Sequence, residues 1–373
     1  MTHPLLVRRR TWPWVASIML LVALAAAWSV GWYYAAGLTQ KTIDGWIARE
    51  AKAGRIYACG SSPVNGFPFS IEVHCTPAKM EWRSAEPTVF VQAASLIMSA
   101  QVWRPTLIES RFIGPLTLSD QAQKPQFIAN WAHLDTAVEG GPILPQGASI
   151  ILDKPTFDRA GAPEAQRLFG AERAEIKGRI IEGSAVDNPV ISIGLRLTDA
   201  VAPTINPLAA QAFNSDITFV LRGLKDFAPK PWPARFRQMQ ANGGSITISG
   251  ARVAQGNTVA IATGSLSLNA QGRLEGELLV TVAGIEHVIS TFGLDKIQTS
   301  PSMGRVAGAL DRIAPGLGNI ARDRGGSTLA AAIGLLGTRT QLEGKSAVVL
   351  PLRFKDGAMT LGAFPVGQVA PLF

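Results

Sequence analysis

The chain has 373 residues and a mass of 39.6 kDa, enough for one large or two ordinary domains. Hydrophobic residues make up 47% and charged residues 17%, against about 25% charged in soluble domains, which excludes an intrinsically disordered chain. Its 37 glycines and 24 prolines exclude a coiled coil, and the formal charge of +8 falls to +5 once Arg8, Arg9 and Arg10 are set aside.

Those three arginines precede a charge-free run that ends only at Lys41 and is almost wholly apolar from Val15 to Ala36. About 20 helical residues cross ~30 Å of hydrocarbon, so the run predicts one transmembrane helix. The asymmetry of basic residues predicts a cytoplasmic N-terminus over residues 1–12, an anchor over 13–37 and an exported remainder. Trp12 and Trp14 fit one membrane interface; Trp28, Trp32, Tyr33 and Tyr34 fit the other. A cleaved signal peptide, with Ala25–Ala27 at the cleavage site, is the competing reading. Both place the body in the same compartment.

Residues 38–66 are expected to hold a stem helix and a disulfide loop. Thr39 to Ala53 sets Ile43, Trp46 and Ile47 on one stripe, a short amphipathic helix that either continues the anchor or lies on the membrane surface. Cys59 and Cys75 flank a Pro/Gly-rich stretch, and in an oxidising compartment they predict one structural disulfide. A redox motif needs two intervening residues, far fewer than separate this pair.

From residue 67 to 227 short alternating runs are broken by Gly and Pro. They predict strands at SIEVH, TVFVQA, LIMSAQV, TLIESRFI, PLTLS, PQFIANW, ASIILD, AEIKGRII, VISIGLRL and DITFVLRG, in a meandering antiparallel sheet. Trp232, Phe236 and Met239 predict a short helix between the halves. Residues 228–373 open with a regular meander. The period then changes: Ile285, Val288, Ile289 and Phe292, then Met303, Val306, Ala307 and Leu310, then Leu329, Ala332, Ile333 and Leu336 predict three amphipathic helices, an insertion at about 284–338. A closing hairpin turns at Asp356–Gly357. The fold class expected is α+β but mostly β: one transmembrane helix, then an extended, curved, largely antiparallel sheet with a few helices over one face.

Catalytic patterns are missing. The four histidines, His3, His74, His133 and His287, are scattered and form no H-x-x-x-H pair, and no G-x-S-x-G elbow occurs. Gly344-Lys345-Ser346 resembles the end of a phosphate loop, but Arg339 stands where the first glycine belongs. Glu72, Glu81, Glu109, Asp135 and Asp153 lie on or near predicted strands, where solvated charge is the common explanation. No enzyme activity, cofactor or metal is expected, and export removes nucleic acid from reach.

With the anchor, the cysteine pair and the phrase NGFPFSIEVHC (Asn65 to Cys75) on the page, the chain resembles the Gram-negative bacterial domain-of-unknown-function family 2125. The features that carry the resemblance are the anchor, GFPF running into I-E-V-x-C, the Asp356–Gly357 hairpin and the tail near PLF. The resemblance implies inner-membrane anchorage and periplasmic exposure, and no catalytic residues. A looser, architectural similarity is to the AsmA-like envelope proteins, which are associated with carrying lipid along a hydrophobic groove.

The expectation is therefore an inner-membrane protein whose sheet offers acyl chains or phospholipid an apolar groove. Candidate groove residues are Val89, Phe90, Leu96, Ile97, Ile151, Ile193, Phe219, Leu278 and Val280, drawn from the most apolar strands. The alternative is a scaffolding component of an envelope complex, with protein partners and an exposed apolar patch.

Overall fold

A computed structural model describes residues 12–284 and 337–373 apart from short stretches at 84, 86, 121–123, 141–144, 162–165, 205–207, 229 and 362–363. Arg8, Arg9 and Arg10 lie outside the described residues, as does nearly all of the helical insertion expected at about 284–338.

Helix α1 runs unbroken over Trp12–Lys52. Of the two placements open to the stem helix, the structure shows the first: it continues the anchor as the second half of α1. Nothing between Leu38 and Lys41 breaks the helix, and the Thr39 and Thr42 hydroxyls donate to the carbonyls of Ala35 and Leu38, one turn back. Pro13 occupies the first turn, where a missing N–H costs nothing. Arg49 and Lys52 fall in the last turn beside the exposed carbonyls, and Gly54 ends the helix at φ 79°, its N–H donating to Ala51. At 1.5 Å per residue α1 is about 60 Å long, twice a hydrocarbon core. It is one helix long and apolar enough to cross a membrane.

The first strands are short: β1 (Arg55–Cys59), β2 (Val64–Asn65), β3 (Ser70–Cys75) and β4 (Ala78–Trp82). Long strands β5 (Val89–Gln101) and β6 (Arg104–Ser119) follow, then β7 (Pro125–Asn130), β8 (His133–Glu139), β9 (Gly147–Asp153), β10 (Thr156–Arg159) and β11 (Gln166–Gly170). Next come β12 (Arg173–Ser184), β13 (Asp187–Ala200), β14 (Phe213–Leu221), helix α2 (Trp232–Ala241), β15 (Ser245–Gln255), β16 (Thr258–Leu268) and β17 (Leu274–Ala283). The chain closes with β18 (Thr338–Leu342), β19 (Lys345–Lys355), β20 (Ala358–Leu361) and β21 (Phe364–Gln368).

All belong to one antiparallel sheet. Its spine crosses eleven strands in the order β5, β6, β8, β9, β12, β13, β14, β15, β16, β17, β19. At ~4.8 Å between strands this path is about 48 Å long. The β14–β15 pairing carries the sheet across the helical connection, so the two β-rich halves are hydrogen-bonded to each other. At the near end β3 and β4 share the outer edge of β5, and β1 pairs with β4. The Cys59–Cys75 disulfide joins the ends of β1 and β3, which do not pair directly. Among the described residues no pairing joins the first strands to the last, so the sheet is open.

Several predicted runs are pieces of one strand. TVFVQA and LIMSAQV form β5, and TLIESRFI and PLTLS form β6. Gly114-Pro115 looks like a break, but the register shifts there against Ala93 and Ser95, and a bulge accommodates a residue with no N–H. Few side chains are fully buried. Among the described residues only Leu350 and Pro189 combine large volume with exposure below 2%, as expected where one sheet layer dominates.

Candidate functional site, an apolar ribbon across the sheet

In an antiparallel pair, residues directly opposite share a face, and faces alternate along each strand. Followed through the spine, one row reads Ala100, Ile108, Val138, Ala148, Gly178, Ile193, Phe219, Ile248, Gly264, Leu278 and Leu352. Two residues further along the strands a parallel row runs from Met98 through the hydroxyl residues Ser110 and Thr136, then Ile150, Ile176, Leu195, Ile217 and Val280, to Leu350. A third runs from Leu96 through Phe112, Leu134, Leu152, Leu197, Ser215 and Val253 to Val282 and Val348. No position of the three rows carries a charge. They form a ribbon about 14 Å wide along the strands and ~48 Å long across them.

Exposure varies along this ribbon. Leu278 and Leu350 are buried at the far end, and Val73 and Cys75 of β3 are buried beside the near end. In the middle strands Ile150 and Ile176 are 37% and 39% exposed, and Val253 is 37% exposed. The apolar side chains there line an open face.

The opposite face is charged. Its central row reads Ile97, Arg111, Asp135, Ile151, Glu175, Arg196, Asp216, Arg252, Ile261, Thr281 and Val349. Arg111 pairs with Asp135 at 2.9 Å, Arg196 with Asp216 at 2.7 Å and Arg252 with Glu343 at 2.7 Å. Arg173 bridges Asp153 at 2.5 Å and Glu175 at 2.7 Å. The hydrogen bond from Arg173 holds the Glu175 carboxyl below the usual carboxylate range. Exposed pairs of this kind contribute little each, ~0–1 kcal/mol, but they mark this face as the polar one. Two open concavities of about 390 and 450 Å³ adjoin each other around Glu139 and Arg179; the first is floored by Ser149, Ser192, Gly194 and Thr218 on the charged side.

The nine candidate groove residues separate. Leu96, Ile193, Phe219, Leu278 and Val280 stand on the ribbon, whereas Ile97 and Ile151 fall on the charged face. Alternation explains this, because Leu96 and Ile97, like Ile150 and Ile151, are sequence neighbours and point opposite ways. Val89 and Phe90 lie beyond the bulge between Ala93 and Ser95, where the alternation is interrupted. Of the acids singled out, Glu81 pairs with Arg83, Asp135 with Arg111 and Asp153 with Arg173, while Glu72 accepts from the Ser70 hydroxyl and lies 3.4 Å from His74. Strand β8, whose Leu134 and Val138 belong to the ribbon, was not predicted; the alternation of Leu134, Thr136 and Val138 is the signal that could have revealed it.

A second feature joins the sheet to α1. The indole of Trp28 donates to the Pro68 carbonyl at 2.9 Å, and that of Trp32 donates to the Ser70 carbonyl at 2.8 Å. Trp32 is buried, with Phe67 packed edge-on at 5.5 Å, and Tyr33 stacks on Phe67 at 6.1 Å. The aromatic positions read as an interfacial belt are thus divided: Trp28 and Trp32 hold the GFPF turn, while the Tyr33 and Tyr34 side chains are mostly exposed. Further along the helix Trp46 meets Tyr57 of β1 at 4.7 Å.

A family model, described as an uncharacterized protein conserved in bacteria (DUF2125), matches residues 32–370. No curated protein matches the chain.

Proposed function

Since the chain belongs to the uncharacterized bacterial family DUF2125, we propose its function from its own geometry: an inner-membrane protein that binds or conveys acyl lipid on the apolar ribbon of a periplasmic sheet. Helix α1 is the anchor, the basic N-terminus stays in the cytoplasm, and the sheet projects from the other side. The observation that carries this reading is the charge-free ribbon, open at Ile150, Ile176 and Val253. Backbone polar groups inside the spine are satisfied by neighbouring strands, so the face presents hydrocarbon and little that selects among polar ligands. Each methylene withdrawn from water onto it gains up to ~0.8 kcal/mol. An acyl chain suits such a surface, because it asks for length and dryness rather than hydrogen bonds. The role is one of binding, not catalysis.

Purification of the full chain in mild detergent, followed by mass spectrometry of bound lipid, tests the proposal. Phospholipid or another acyl lipid retained in near-stoichiometric amount is the expected result. A consistently lipid-free protein overturns it. The exposed apolar patch in the middle strands also fits a scaffolding role, and crosslinking that recovers one stoichiometric envelope protein across Ile150 and Ile176 would support that reading instead.

A further inference from the structure

We infer that the GFPF turn and the adjoining β5–β6 turn form a second membrane contact, seated in the lipid headgroup layer beside α1. Three observations meet here.

The first is depth. Trp28 and Trp32 bind the carbonyls of Pro68 and Ser70, which fixes the turn at that height along the helix. Trp32 lies 20 residues after Trp12, or about 30 Å along the axis, the thickness of one hydrocarbon core. With Trp12 at one interface, the turn therefore sits at the other.

The second is chemistry. Phe69 and Trp103 are 60% and 63% exposed and lie 6.2 Å apart, and half of Phe67 is also exposed. Arg104, exposed and next in sequence, adds a cation suited to anionic headgroups. Large rings with a polar rim are what the interface accepts.

The third is construction. The Val102 N–H donates to the Phe69 carbonyl at 3.0 Å, so the two turns form one unit. Gly66 lets the turn close: at φ 99° its backbone approaches Ser70 so nearly that an added Cβ would lie 2.6 Å from the Ser70 carbonyl oxygen. Two contacts, the helix and this tip, would together set the tilt of the sheet against the bilayer.

The occupant is the bilayer that holds α1, so this inference rests on reading α1 as the anchor. The test uses the full chain in nanodiscs of phosphatidylethanolamine and phosphatidylglycerol, nitroxide-labelled one site at a time. Leu20→Cys reports the anchor, Phe69→Cys and Trp103→Cys report the tip, and Lys177→Cys reports the charged face; the native cysteines are locked in their disulfide and do not react. Power saturation compares access to oxygen and to a water-soluble nickel chelate. The expected oxygen-to-nickel ratio is highest at 20, several-fold above the position 177 value at 69 and 103, and lowest at 177. Labels at 69 and 103 that match 177 while 20 reads deep would overturn the membrane contact and leave the anchor standing. Aqueous access at position 20 as well would overturn both. The two tip labels are independent reporters, so a folding defect in one leaves the other decisive.

Discussion

Gly66 occupies a backbone region that other residues enter at a cost, and its Cα faces both the carbonyl and the hydroxyl oxygen of Ser70. Gly66→Ala therefore has no strain-free solution: either the turn opens, breaking the Ser70 N–H bond to the Gly66 carbonyl at 2.9 Å, or the side chain overlaps Ser70. A loss of more than ~1 kcal/mol is expected, read as a lowered thermal midpoint of the detergent-solubilised protein. The cysteine pair acts at the same scale. With a separation of 16 residues, replacing both by serine should cost roughly 3 kcal/mol in the chain-entropy model, checked by the difference in denaturation midpoint with and without reductant. The wild type should lose a comparable amount on reduction and the double variant none.

At the scale of elements, hydrophobic period decided most of what could be read in advance. Strands β9, β12, β13 and β14 stand where alternation predicted them, because each pairs apolar residues on one side with charge on the other. Which side a given apolar residue takes was less legible. Ile151 is as apolar as Ile150, and only the Asp135 and Glu175 partners that the register assigns to it reveal the charged face. Gly114-Pro115 misled for the opposite reason, since a local break signal was absorbed by a bulge that depends on the partner strand. The disposition of Trp28 and Trp32 was hidden too, because hydrogen bonds from a helix to a turn forty residues away leave no mark on local period. Ion pairs yield a pH dependence. Arg173 depresses the Glu175 pKa on the charged face, and Lys230 depresses that of Asp226 in the connection before α2. A depressed carboxylate stabilises the fold above its unfolded pKa, and that contribution is lost as pH falls through the folded value. The thermal midpoint should stay level near neutrality and fall progressively below about pH 4, with Glu175→Gln showing a shallower fall, measured by circular dichroism across a pH series.

For the whole molecule, the two faces of one thin sheet can be tested against each other. Ile176 and Lys177 are neighbours on β12 with opposite faces, the first on the open ribbon and the second paired with Glu175 at 3.3 Å. If the ribbon is the acyl path proposed above, Ile176→Asp places charge on it and should reduce co-purified lipid severalfold, whereas Lys177→Asp should leave it near the wild-type level. A charge on an apolar face also costs stability, so a second variant separates binding from folding. Gly178 sits at mid-length in the row of Ala148 and Ile193, and a Cβ built there meets nothing within 4 Å. Gly178→Trp therefore raises a ring on the ribbon from a position where the new Cβ meets no neighbour, and the lost freedom of glycine in the unfolded chain favours the fold by about 0.4–1 kcal/mol on the scale of Gly→Ala. If lipid lies along the ribbon, this folded variant should retain less than half of the wild-type load by mass spectrometry, because a chain laid across the strands must pass the middle. An unchanged load in Gly178→Trp, with an unchanged thermal midpoint, would place any bound lipid elsewhere on the protein.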